Sequence, residues 1–286
     1  MGAATFGVMS MDANPLSLLS AELTGDGETL GLGLPPGSLV TETESGPWRE
    51  PLLWVSDGIA GPADWGQYAA ACAGKGLQPV LLDGDEDIAG WWNTELDPGM
   101  MSAPADHDAE GVLKEFWHAA VAATEENEDD EDEGATIAPY SGDWPGPAPR
   151  RPAAADPDAV AAEVAAALVE HRLSSPRLAL APATRSADLP AAIGWTGPIN
   201  HENDVARLCA VLRSWEDRFG VRVVALSHNR LDLSVAAPPQ TLDEALAVAV
   251  EHFAFCPDNV WQGYETLRLY AEEALVGSRH WTFWWD

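Results

Sequence analysis

The sequence predicts an α/β (α+β) protein in three parts: an N-terminal βαβ-containing domain over residues 1–123, an acidic, proline-rich disordered linker over 124–156, and a C-terminal α+β domain with a mixed sheet over 157–286. Three observations carry this expectation. Apolar strand-like runs flank a helix-period stretch between Pro51 and Gly84. Eight of the nine residues from Glu125 to Glu133 are acidic, and like charge at that density offers no apolar surface to bury. Beyond them, two strand-like segments, VRVVALS and RLDLSVAA, are joined by only His228 and Asn229, which predicts an antiparallel pair.

In the first part, PLLWVSD (51–57) reads as a buried strand. A helix follows from Pro62 to Lys75, with Trp65, Tyr68, Ala69 and Cys72 on one face and glycines at its end. QPVLLDG (78–84) is the next strand. Strand, helix and strand at this spacing predict a βαβ unit with parallel pairing. A second helix over 108–123 presents Val112, Phe116 and Ala119 or Ala120 to a core. The linker expectation extends past the acidic run because five prolines fall between Pro145 and Pro157, and proline favours extended coil.

The second part opens with an alanine-rich helix (157–172) and a strand, RLALAP. The clearest helix spans Asn203 to Phe219: Val205, Leu208, Cys209, Leu212, Trp215 and Phe219 form one stripe, Asn203 is placed to cap the start and Gly220 to close the end. Thr241 and Glu244 form a capping box for a helix that stops before Pro257. A short helix over 264–275 and the strand HWTFWWD finish the chain. Alternation puts Trp281, Phe283 and Trp285 on one face of that strand and Thr282 and Trp284 on the other. Aromatics on both faces predict a central strand packed between helices rather than a binding platform.

Charge and cysteine content narrow the function classes. The net charge is -31, shared as -16 over residues 1–123, -8 over 124–157 and -7 over 158–286. Such a field repels phosphate backbones and no basic stripe interrupts it, which argues against nucleic-acid partners. It suits solubility or a basic protein partner. No run approaches the length of a membrane span, and the N-terminus lacks the basic and apolar regions of a secretion signal. The three cysteines, Cys72, Cys209 and Cys256, form neither a disulfide framework nor a CxxC pair. A cytoplasmic protein is expected.

Several motif-like stretches fail on spacing. DGDEDIAGWWNTE (83–95) alternates Asp83, Asp85 and Asp87, but a calcium loop needs Gly and Glu where Ile88 and Thr94 stand; a polar turn is the expectation. Gly31, Gly33 and Gly37 run into prolines rather than into a helix that would aim its amides at phosphate. HEND (201–204) lacks the second histidine of HExxH. The densest polar cluster is EHFAFCPDN (251–259). His252 and Cys256 lie four apart on one helical face, with Asp258 and Asn259 just beyond. His252, Cys256 and Asp258 are the candidate metal ligands, and these three with Asn259 are the candidate catalytic residues. A thiol at a helix C-terminus meets the negative end of the dipole, which weakens it as a nucleophile. The competing reading is a buried thiol, a histidine bonded within the helix packing, and a polar turn. No cofactor is implied.

From about Arg177 to Asp286 the chain resembles the bacterial family catalogued as domain of unknown function 4253 (DUF4253). The resemblance rests on GWTGPIN (194–200), LRSWEDRFGVRVV (212–224), EHFAFCPDNVWQG (251–263) and the closing WTFWWD. The first part, with PLLWVSD and LQPVLLDG, is similar to the region that often precedes it. The resemblance implies no activity, cofactor or catalytic residue. Two functional readings stay open: a non-catalytic soluble binding or interaction protein, of the antitoxin or immunity kind, and an enzyme, such as a metal-dependent hydrolase, built on His252, Cys256 and Asp258.

Overall fold

A computed structural model describes residues 14–24, 30–84, 88–125 and 134–286. In chain order the elements are α1 (Pro15–Thr24), β1 (Gly37–Val40), β2 (Glu42–Thr43), β3 (Gly46–Pro47), β4 (Leu53–Ile59), α2 (Asp64–Cys72), β5 (Gln78–Leu82), α3 (Ile88–Glu95), α4 (Ala109–Glu125) and α5 (Pro157–His171). Then come β6 (Arg177–Ala181), α6 (Leu189–Ile193), α7 (Val205–Phe219), β7 (Val221–Leu226), β8 (Arg230–Val235), α8 (Leu242–Phe255), α9 (Leu267–Tyr270) and β9 (His280–Trp284).

Seven of the strands form one mixed sheet in the order β1-β4-β6-β5-β7-β8-β9. The α+β class therefore holds, but the division of the core does not follow the division of the sequence. β6, from beyond the acidic stretch, lies between β4 and β5 and is antiparallel to both. The expected βαβ unit is accordingly split: β4 and β5 run the same way without touching. Among the described residues the one parallel contact is β5 with β7, through Leu81↔Ala225 and Leu82↔Leu226. A strand buried on both faces gains more by entering the middle of a sheet than by extending a separate one, and β6 is such a strand: Leu178 and Leu180 face one core, Ala179 and Ala181 the other.

Helices cover both faces. Val55, Val80, Val223, Leu233 and Phe283 share one core with α4, α7 and α8. Trp54, Leu81, Leu180 and Val224 share the other with α1, α2 and α5. The helix ends follow the residues that cap them. Asp204, not Asn203, takes the Ala206 N–H at the start of α7, and the helix begins at Val205, the first residue of its apolar stripe. Gly220 closes it at φ 64°. The Thr241–Glu244 capping box forms in full.

The expected linker also departs from its sequence reading. The acidic run at 126–133 lies outside the described residues, whereas 134–156 is irregular chain held against the fold. Ile137 and Ala148 are buried in the α4–α7–α8 core, the Trp117 indole donates to Gly142 O at 3.0 Å, and Thr136 O accepts from Leu267 N at 2.8 Å. Proline removed the donors that a helix or strand would need, but a few apolar side chains and unspent carbonyls sufficed to dock the segment. No helix among the described residues is long and apolar enough to cross a membrane.

Candidate functional site

The end of α8 brings the sequence candidates into one neighbourhood and gives each a structural task. β9 is an edge strand, not the central one expected, and pairs only with β8. Its odd residues face β8, since Arg279 O accepts from Val235 N and Trp285 N donates to Asn229 O. The even residues therefore turn their backbone groups outward. Three outward carbonyls are met in turn: His280 O by the Ser278 hydroxyl at 2.7 Å, Thr282 O by the Asn259 amide at 2.8 Å, and Trp284 O by the Cys256 thiol at 3.0 Å. Asp258 accepts from Asp286 N at 3.2 Å. The CPDN turn is thus a clamp on an edge that would otherwise offer a row of unpaired groups.

His252 is fully buried beneath this clamp. Its Nδ1 lies 2.9 Å from the Tyr270 hydroxyl, and that oxygen accepts from Asn259 Nδ2 at 3.3 Å. Nδ1 and the Tyr270 hydroxyl share one hydrogen bond, whose direction follows the imidazole tautomer. Nε2 has no hydrogen-bond partner; the ring packs among Trp281, Phe283 and Trp215, with centroids 4.4, 4.8 and 4.9 Å away. Burial, with the Arg218 charge adding to it, holds the imidazole well below its ordinary range. Burial likewise pushes the Cys256 thiol up, well away from thiolate. Cys256 turns to Trp284 O, and Asp258 to Asp286 N and Gln262. Among the described residues no three His, Cys, Asp or Glu groups are placed to hold a metal ion.

The opposite face of the β8–β9 pair is different. Arg230, Asp232 and Ser234 alternate with the core residues Leu231 and Leu233, as His280, Thr282 and Trp284 alternate with Trp281 and Phe283. Part of this polar face, with the loops that follow β5 and β7, opens into a cleft of about 760 Å³. It lies outside the carboxyl ends of the one parallel pair: Asp83 and Gly84 follow β5, and Ser227, His228 and Asn229 follow β7. This is the end of an α/β sheet at which ligands are commonly held. Arg172, Tyr264 and Trp284 complete the nearer walls.

Two buried carboxylates anchor the cleft. Asp83 accepts Ser174 N and Ser175 N at 3.0 and 3.1 Å on one oxygen and Arg230 Nη2 at 3.3 Å on the other. Asp232, 1% exposed, accepts His280 Nε2 at 2.8 Å and Arg230 Nε at 2.9 Å. Burial alone would raise the Asp232 carboxyl, but the hydrogen bond and charge of His280, with the Arg230 charge, hold it below its usual value.

Arg230, Asp232 and His280 belong to no sequence motif, and Asp83 falls in the stretch that reads as a polar turn. One signal was present: RLDLSV places a charged residue between two leucines on a strand whose alternate face is otherwise small or polar. The pairing with His280 was not legible, because it depends on the register Ser234↔His280 and Asp232↔Thr282. Ser102, His107 and Asp204 also meet, yet Ser102 Oγ (2.6 Å) and Asp204 Oδ2 (3.7 Å) approach the same ring nitrogen. A nucleophile relay needs them on opposite nitrogens.

Residues 177–286 match the family described as Domain of unknown function (DUF4253), the family that the sequence motifs resemble. The match begins at the first residue of β6, so it takes in the edge clamp and the β8–β9 pair, while Asp83 lies outside it. No curated protein and no solved structure matches the chain.

Proposed function

We propose that this is a non-catalytic binding protein whose ligand, a small polar molecule, enters the cleft between the carboxyl ends of β5 and β7 and the polar face of β8–β9. The observation that carries this reading is the cleft itself. At about 760 Å³ it falls in the range of small-molecule sites, roughly 300–1,000 Å³, and one of its lining arginines, Arg230, is held by two buried carboxylates. The three thiols are buried away from solvent, and the hydroxyl of Ser278, which lines the cleft, is spent on His280 O. A thermal-shift screen of small polar metabolites tests the reading, run on wild type and on Trp284→Ala. A ligand that raises the melting temperature of wild type and not of the variant supports it. Ligands that stabilise both equally would move the site elsewhere.

A second reading is supported by the net charge of -31: an acidic interaction or immunity-type protein that docks a basic protein partner. Affinity capture from the native host at low and at high salt tests it, and a basic partner released by salt is the expected result.

A further inference from the structure

Hydrogen-bond accounting in the cleft narrows the class of ligand. Its carboxylates are engaged by the protein. Both oxygens of Asp83, in the lining, and both of Asp232, behind Arg230 and His280, accept from protein donors. Its donors are not used up. Arg230 spends Nε and Nη2 on the two carboxylates and has no partner for Nη1 among the described residues. The guanidinium of Arg172 and the imidazole of His228, both in the lining, likewise have none there.

A cleft whose carboxylates are neutralised by protein donors while arginine nitrogens in its lining stay free favours a ligand that carries negative charge. We infer that the cleft binds an oxyanion, a phosphate or carboxylate group carried by a small molecule, held by Arg230 Nη1, Arg172 and His228. The fork of Arg230 is fixed in place by its two carboxylates, so its remaining edge is pre-organised for a planar or tetrahedral anion. The chain's net charge opposes an anion at long range, and affinity rests on these contact donors. This inference depends on the cleft being the binding site.

The test follows the imidazole signals of His228 and His280 by nuclear magnetic resonance in the full chain at neutral pH. Inorganic phosphate is titrated in, with glucose as a neutral probe and methylammonium as a cationic one. Saturable shifts with phosphate alone are expected, with affinity reduced about tenfold in Arg172→Gln at an unchanged melting temperature. Saturable shifts with glucose or methylammonium and none with phosphate would discard the oxyanion while leaving the cleft as a binding site. No shift with any probe would discard the oxyanion and remove support from the cleft as well. A phosphate shift that survives both Arg172→Gln and His228→Gln, read at His280, would place the anion elsewhere and overturn the inference.

Discussion

Glu251 and Asp232 are both buried carboxylates bonded to arginine, yet they lie on opposite sides of the sheet and in opposite kinds of surroundings. Glu251, fully buried, is enclosed by Ala148 N (2.6 Å), the Trp215 indole (2.8 Å) and two nitrogens of Arg218 (2.8 and 2.5 Å). Every donor around it comes from the protein, and Ala148 ties the irregular segment after the acidic run to the core. Asp232 has partners that are themselves partly open, with the side chains of His280 and Arg230 23% and 28% exposed, and both line the cleft. Burial alone does not mark a functional carboxylate. What separates the two is whether its partners keep donors facing solvent.

The sharpest way to break this contrast is at β9, whose two faces belong to the two regions. Deleting Trp281–Asp286 should abolish cooperative folding. Trp281, Phe283 and Trp285 are each nearly fully buried, truncation of each costs about 3–5 kcal/mol, and their sum rivals the whole stability of a domain. Trp284→Ala, on the cleft face, should cost under about 1 kcal/mol. Urea denaturation measures both, and a Trp284 variant as damaged as the deletion would erase the distinction between the faces.

The carboxylates themselves come next. Glu251→Gln leaves the partly buried Arg218 without its counter-charge and Glu251's fully buried site half-satisfied, an expected loss of about 3–5 kcal/mol. Asp232→Asn leaves Arg230 its bond to Asp83 and lets two half-open partners hydrate, so about 1–3 kcal/mol is expected. Because the folded Asp232 carboxyl lies below its unfolded value, its contribution is present above about pH 4 and is lost as pH falls through the folded value. The acid limb of stability against pH should therefore be shallower in Asp232→Asn. Equal losses in the two variants would show that the cleft carboxylate is as purely structural as the core one.

The same contrast explains what the sequence made legible. The stripe of α7, the Thr241–Glu244 box and the alternation of β9 are local patterns, and the structure reproduces them. The insertion of β6 between β4 and β5 is not local, because RLALA carries no mark of its neighbours. EHFAFCPDN stood out for having metal-ligand residue types at helical spacing. Its side chains instead serve the backbone of a strand 23 to 28 residues further on. Asp232 and His280 looked ordinary, since each acquires meaning only from the β8–β9 register.

His252 gives a smaller effect on the core side. Its imidazole is held neutral by burial and by the Arg218 charge, so the unfolded chain binds a proton that the folded one resists. The folded value is depressed, and stability should be full above about pH 6.5 and decline as pH falls below it, by at most about 1.4 kcal/mol per pH unit. His252→Gln should remove that slope while lowering stability throughout. An unchanged slope would assign the pH dependence to another group.

The smallest expected change is at Cys256, where edge clamp and metal ligand make different predictions. As a clamp, the thiol donates to Trp284 O at 3.0 Å and lies buried with a raised pKa. Serine keeps a donor at that position, but its shorter C–O bond reaches less far and its hydroxyl costs more to bury. Cys256→Ser should therefore lose about 1–2 kcal/mol in urea denaturation, and the native wild-type thiol should react with a disulfide reagent only on unfolding. As a metal ligand, Cys256 would instead lose a bound ion on substitution. Elemental analysis of wild type, His252→Ala and Cys256→Ser, all purified without added metal, separates the two. No stoichiometric zinc in any of them is expected, because His252 turns Nδ1 to Tyr270 while Cys256 and Asp258 turn to the β9 edge. One equivalent in wild type that both substitutions remove would replace the clamp with a metal site.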